Sequence, residues 1–229
     1  VLNRLQSEPK RFAATSNVQI GVSWHPRKDD HGQLVEIKKP SRASPLEAWH
    51  QPAAIASVLP DGVMPAEVHG LAIKSWSDAP TTSDGWMAMA AEHAIEEPEF
   101  KVPSGFRRAA GVVVREKNGR VWAVAPTNAF GGYKATFPKG TVESGMSLQA
   151  TALVEALEES GLKVRLVQHL VDVKRSQSYT RYYLAERVGG NPADMGWESQ
   201  AVMLVPKAQL AKVVIHPNDA PILEALSHV

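Results

Sequence analysis

The chain has 229 residues, enough for one large domain or two small ones, and it can bury a core without covalent staples. Its 25 basic and 24 acidic side chains leave a formal charge of +1, so no field of one sign favours general binding to nucleic acid or to an anionic membrane. The absence of cysteine excludes disulfides, thiolate nucleophiles and cysteine-held zinc.

No apolar run approaches the ~20 residues needed to span a bilayer. The polar N-terminal stretch also lacks the apolar core of a signal peptide. These features read as a soluble, cytoplasmic protein. Two halves meet between residues 75 and 105, where Ser75–Gly85 is rich in Ser, Thr, Asp and Pro and reads as a linker or long loop. We divide the chain accordingly into a smaller α+β region over 1–100 and a second domain over 101–229.

In the first region, Asn17–Trp24 alternates like a strand, with Leu34–Lys38 as its partner across a polar KDDHGQ turn. Pro45–Leu59 has the apolar spacing of a helix, interrupted at Pro52. Val68–Trp76 reads as a strand, and Trp86–Glu97 as a short helix stopped by Pro98. The histidines at 25, 31, 50 and 69 are scattered, without the close pairing of a metal site.

The second region is more regular. Ala109–Arg115 reads as a buried strand that turns at Lys117-Asn118-Gly119-Arg120 and returns as its partner, Val121–Ala125. A glycine-rich loop and Thr136–Gly140 lead into a helix over Ser147–Ser160, with Gly161 placed to end it. Strands over Lys163–Val173, Tyr179–Arg187 and Ala201–Pro206 follow, then a closing helix from about Pro217 to Ser227. The mixture predicts an α+β or α/β/α sandwich.

The chemistry concentrates in Gly140–Leu162, GTVESGMSLQATALVEALEESGL. Glu155, Glu158 and Glu159 stand at i, i+3 and i+4, within an arc of about 100° on one helix. Like charges so placed repel by roughly a few tenths of a kcal/mol per pair. A hard divalent cation, Mg²⁺ or Mn²⁺, reverses that sign. An ordinary solvated helix face would also account for EALEES taken alone.

The whole segment resembles the Nudix box, G-x5-E-x7-R-E-U-x-E-E-x-G-U with U aliphatic. Gly140, Glu155, Glu158, Glu159, Gly161 and Leu162 fall at the required spacing, with Ala156 in the first aliphatic place. The order of elements from about Gly105 to Val229 is similar to that of the family. The resemblance implies a Nudix fold with a mixed sheet and a phosphoanhydride hydrolase. Its Mg²⁺ or Mn²⁺ would be held by Glu155, Glu158, Glu159 and the Gly140 carbonyl, with Glu158 or Glu159 as candidate base. Glu198, in Gly196-Trp197-Glu198-Ser199, lies where many relatives place a further carboxylate. Met146 and Val154 stand where the family has its first glutamate and its arginine, so the roles of those two residues do not transfer. They also favour a second reading, a catalytically impaired module that binds a nucleotide or a protein.

Phe137-Pro138-Lys139-Gly140 is similar to the same stretch in diadenosine polyphosphate hydrolases. The implied substrate is a nucleoside diphosphate linked to another moiety, dinucleoside polyphosphates among them. Lys139, Arg108 and Arg175 are candidate phosphate binders, with Arg107, Lys174 and Arg181 near them in the pattern. Tyr183, together with Tyr179 and Tyr182, is a candidate to stack on a base, and His216 a candidate phosphate contact. A homodimer is left open.

Overall fold

The computed structural model describes residues 23–38 and 42–229. Ser23–Trp24 (β1) and Glu36–Ile37 (β2) pair antiparallel around the expected polar turn. Residues 17–22 of the expected first strand lie outside the described residues.

The helix expected over 45–59 is replaced by a five-residue 3-10 helix, Leu46–His50, followed by the strand Ala56–Val58 (β3). Pro52 lacks a donor and clashes with the preceding turn, so helix cannot run through it. The strand expected over 68–76 is likewise two short ones, Glu67–Val68 (β4) and Leu71–Ala72 (β5), folded about His69-Gly70. Ser83–Glu92 forms α1, whose Thr82 cap accepts a hydrogen bond from the Gly85 N–H at 3.2 Å. The helix thus begins inside the stretch that reads as a linker.

Arg107–Val114 (β6) and Val121–Pro126 (β7) do not form the expected hairpin ladder. They share only an isolated bridge, Arg115 to Val121. A strand has two hydrogen-bonding edges, and both edges of β6 are occupied. Lys139–Thr141 (β8) pairs antiparallel on one side, and Ser178–Gly190 (β10) pairs parallel on the other. Leu162–Lys174 (β9) completes a mixed four-stranded sheet in the order β8-β6-β10-β9. β7 pairs instead with Ser199–Val205 (β11), whose other edge takes β3, in the order β3-β11-β7.

The period of two then sorts side chains between two cores. Ala110, Val112 and Val114 of β6 face one, with Trp122, Val124, Tyr183, Val202 and Leu204. Val113 faces the other, with Val121, Ala123, Tyr182, Leu184 and Val205. A slip of one residue would exchange the two sets, so burial fixes the register. The first core is covered by α1 and by Leu148–Ser160 (α2). The second is covered by Lys207–Val213 (α3) and Ala220–Ser227 (α4), which supply Leu210, Ile222 and Leu226. The architecture is the α/β/α sandwich that the sequence predicts. No helix among the described residues is long and apolar enough to cross a membrane.

Candidate metal centre

The site is built on α2, and both ends of that helix are closed locally. The Ser147 hydroxyl accepts from the Ala150 N–H at 3.0 Å, and Gly161 ends the helix at φ +66°, where a Cβ would cost energy. Ala152 and Ala156 are buried in the core. That placement directs Glu155 and Glu159, one turn apart, toward β8 and the loop before β11.

Glu198, on that loop, completes the group. One carboxylate oxygen from each of Glu155, Glu159 and Glu198 can lie within 4.8 Å of the others. Glu159 is buried, Glu155 half-buried and Glu198 exposed. Glu158 is exposed and stands outside this trio, although its main-chain carbonyl accepts the Gly196 N–H at 2.6 Å. Gly140 is the floor of the site: a Cβ there would overlap the Glu155 carboxylate. The adjoining Lys139 N–H donates to Glu159 Oε2 at 3.3 Å.

Charge is unbalanced here. Burial first, and then Glu159, Glu158 and Glu198, hold the Glu155 carboxyl well above the usual range against the opposing Lys139 ammonium. Burial pushes Glu159 up to about 7; Glu198 adds to the rise, while Lys139 and Arg175 oppose it. Glu158 and Glu198 are raised too, by desolvation and, in both cases, by the nearby Asp30 carboxylate. Clustered hard oxygen donors, one of them buried, match the demands of Mg²⁺ or Mn²⁺.

The other sequence candidates are dispersed. Lys139 faces the cluster, its Nζ 5.9 Å from the Tyr133 ring centroid. Arg108 is exposed at the start of β6. Arg175 is buried and committed: it donates to the hydroxyls of Tyr133 at 2.8 Å and Tyr182 at 2.7 Å and forms an ion pair with Asp219. Its expected phosphate contact is therefore corrected to an internal one. Tyr183 is also corrected, because its ring is fully buried and has no face for a base; its hydroxyl donates to Glu97 at 2.5 Å. Tyr182 is fully buried, and Tyr179 stacks on Phe100 with centroids 5.2 Å apart. Arg181 is buried against Asp172 at 2.7 Å, and His216 stacks on Tyr133 at 3.8 Å.

Sequence reasoning missed the supports of the Glu198 loop. The Thr127 N–H donates to the Glu198 carbonyl at 2.7 Å, its hydroxyl donates to the Trp197 carbonyl, and the Trp197 indole donates to Asp30 at 3.1 Å. Nothing in the pattern around Thr127 or Asp30 marks either as a partner of residue 198. The two departures from the box also gain a physical setting. Met146 and Val154 pack against the core that includes Trp86 and Ala90 of α1. With Thr82 and Trp86 they line a cleft of about 200 Å³ beside Glu155 and Glu158. Apolar side chains suit the position because a second helix lies alongside.

A family model described as NUDIX domain matches residues 105–226. No match is found among curated proteins. Among solved structures, a C. elegans Ap4A hydrolase binary complex is 18% identical with a TM-score of 0.45, over 53% of this chain and 96% of that one. A NUDIX hydrolase from Nitrosomonas europaea is 17% identical with a TM-score of 0.46, over 55% and 73% of the two chains. MutT, from a study of the Aliivibrio salmonicida and Vibrio cholerae proteins, is 19% identical with a TM-score of 0.42, over 54% and 97%.

Proposed function

Because this chain belongs to the NUDIX family, we propose that it is a Mg²⁺-dependent hydrolase of a phosphoanhydride, acting on a nucleoside diphosphate linked to a second moiety. The observation that carries the reading is the convergence of Glu155, Glu159 and Glu198 within 4.8 Å, on a helix that conserves the box spacing. These three residues would hold the ion. When bound, it supplies charge neutralisation at the phosphates and activates water for attack at phosphorus.

The chain's own residues supply the rest. Gly140 keeps the floor open for the Glu155 carboxylate. Lys139 brings an ammonium to the same side of the site, where it draws a phosphate and restrains the repulsion among the carboxylates. Glu158, exposed at the rim, is free to take a proton from water; Glu198 is the alternative base. Dinucleoside polyphosphates are the substrate subclass we favour, from the Pro138-Lys139-Gly140 lead-in. A cytoplasmic setting belongs to the same proposal.

One observation favours a second reading, a nucleotide-binding module with little turnover: the apolar Met146 and Val154 leave no arginine to orient the glutamates. A single experiment separates the two. Diadenosine polyphosphates, ADP-ribose, nucleoside triphosphates and diphosphoinositol phosphates are offered to the intact chain with and without Mg²⁺ or Mn²⁺. We expect metal-dependent turnover that falls by about 100-fold or more in a Glu155→Gln, Glu159→Gln double variant, since even outer-shell partners of a metal can cost that much. A folded protein that binds metal and nucleotide but hydrolyses nothing would give the second reading the field.

A further inference from the structure

The turn between β1 and β2 reaches the Glu198 loop from the other half of the chain. The Asp29 carboxylate closes that turn by accepting the main-chain N–H groups of His31 at 3.0 Å and Gln33 at 2.7 Å. The next residue, Asp30, is exposed and accepts the Trp197 indole N–H at 3.1 Å. The hairpin is seated on both flanks of residue 198. On one side the buried Gln200 amide donates to the Glu36 carbonyl at 2.8 Å and accepts the Lys38 N–H at 3.2 Å. On the other, the Arg27 guanidinium lies 3.2 Å from Asp61 and 4.0 Å from Asp194. Its first turn residue, His25, is buried beside Ser199.

The loop's main chain is tied to α2 through Gly196 and to the end of β7 through Thr127. Those bonds fix where the loop runs. The rotation that aims the Glu198 carboxylate depends also on how Trp197, the residue before it, is held, and its ring is held from the N-terminal hairpin.

We infer that Asp30 is a positioning residue: through Trp197 it orients Glu198 toward Glu155 and Glu159, and the hairpin over 23–38 is thereby part of the site. The inference rests on the hydrolase reading above for the role of Glu198. It also gives the N-terminal residues a function that no motif within them reveals.

The test uses the full chain with Asp30→Ala, Asp30→Asn and Trp197→Phe, and Glu198→Gln as reference. Mn²⁺ affinity is measured by calorimetry, and kcat and KM on the best substrate of the panel. Asp30→Ala and Trp197→Phe should each weaken Mn²⁺ binding several-fold and lower kcat about tenfold, the range of outer-shell effects. KM should stay within about twofold, because neither residue is placed against substrate. Asp30→Asn should recover most of both, because an amide oxygen still accepts the indole N–H. Wild-type metal affinity and kcat in Asp30→Ala would overturn the inference. So would an Asp30→Asn variant as impaired as Asp30→Ala, which would assign the effect to charge. If the wild type binds Mn²⁺ but turns over nothing, the hydrolase reading fails and the Mn²⁺ titration alone decides the positioning. A wild type that binds no Mn²⁺ overturns both.

Discussion

Two buried carboxylates show two ways in which this protein puts charge inside. Glu116 lies at the seam where residues 46–72 meet the sheets, and Glu159 lies in the acidic site. Burial works to raise both. At Glu116 the effect is overcome: Arg187 donates to it at 2.5 Å, His69 lies at 2.9 Å and the Trp122 indole donates at 2.8 Å, so its carboxyl is held below the usual range. At Glu159 the neighbours include other carboxylates, and the carboxyl rises to about 7. The seam pairs its buried carboxylate with an arginine of the same fold, whereas at the site the clustered carboxylates outweigh the opposing Lys139 and Arg175 charges.

The strongest way to break this comparison is to remove Glu116. Arg187 is fully buried and also donates to the Val68 carbonyl at 2.6 Å. Glu116→Ala would leave its charge unpaired, and losing one partner of a buried pair costs about 3–5 kcal/mol. Urea unfolding should register that loss, and proteolysis should cut first in residues 46–72, whose strands are only two or three residues long. A loss below about 1 kcal/mol would mean that water relieves the seam and that Trp49, packed at a tilt against Trp122 with ring centroids 5.7 Å apart, holds the region by packing.

The site should respond with the opposite sign. The Glu159 carboxyl titrates higher in the folded state, near 7, than its ordinary 4.5, so folding takes up a proton between those values. Without metal, the stability of the native state therefore falls as pH rises from 4.5 through 7, by up to about 3 kcal/mol from this group. Glu159→Gln removes the titration. In chelator at pH 8 the variant should be more stable than wild type by about 2–3 kcal/mol, and the difference should vanish near pH 4.5. Added Mg²⁺ should stabilise the wild type more than the variant. Equal stabilities at pH 8 would place the Glu159 carboxyl in a better solvated setting than its burial indicates.

How much of this could be read in the sequence differs between the same two regions. The strands and the helix from Arg107 to Val205 carry long periodic patterns, and Ser147 and Gly161 mark both ends of α2, so the layers and the glutamate row were legible. The partnering of β6 was not. An Asn-Gly turn implies a hairpin, but the choice of β8 and β10 as partners is made by which edges the whole fold leaves open. Between 46 and 72 the strands are too short to show a period, and Pro52 and His69-Gly70 divide segments that otherwise read as single elements. Arg175 and Tyr183 were misread for a related reason: a residue type reports what a side chain can do, and burial decides whether a ligand can reach it. Asp30 lies 168 positions before Glu198, and no local pattern links residues that only a folded chain brings together.

The smallest test compares the caps of the two helices on the first core. Ser147 is half-buried and its hydroxyl accepts the Ala150 N–H at 3.0 Å; Thr82 is exposed and accepts the Gly85 N–H at 3.2 Å. Replacing a cap by alanine costs roughly 0.5–2 kcal/mol. Ser147→Ala should lie near 1 kcal/mol or above, because its loss leaves a donor in a part-buried setting where water is a poorer substitute. Thr82→Ala should lie near 0.5 kcal/mol, because solvent reaches the freed N–H. The two also differ in what they disturb. Ser147 begins the helix that carries Glu155 and Glu159, so its loss should weaken Mn²⁺ binding slightly. Loss of Thr82 should weaken Mn²⁺ binding only if α1 helps to hold α2 in place. If Thr82→Ala costs as much stability and as much metal affinity as Ser147→Ala, then α1 supports the site as strongly as the cap of α2 itself. The contact of Met146 and Val154 with its core would then be the route.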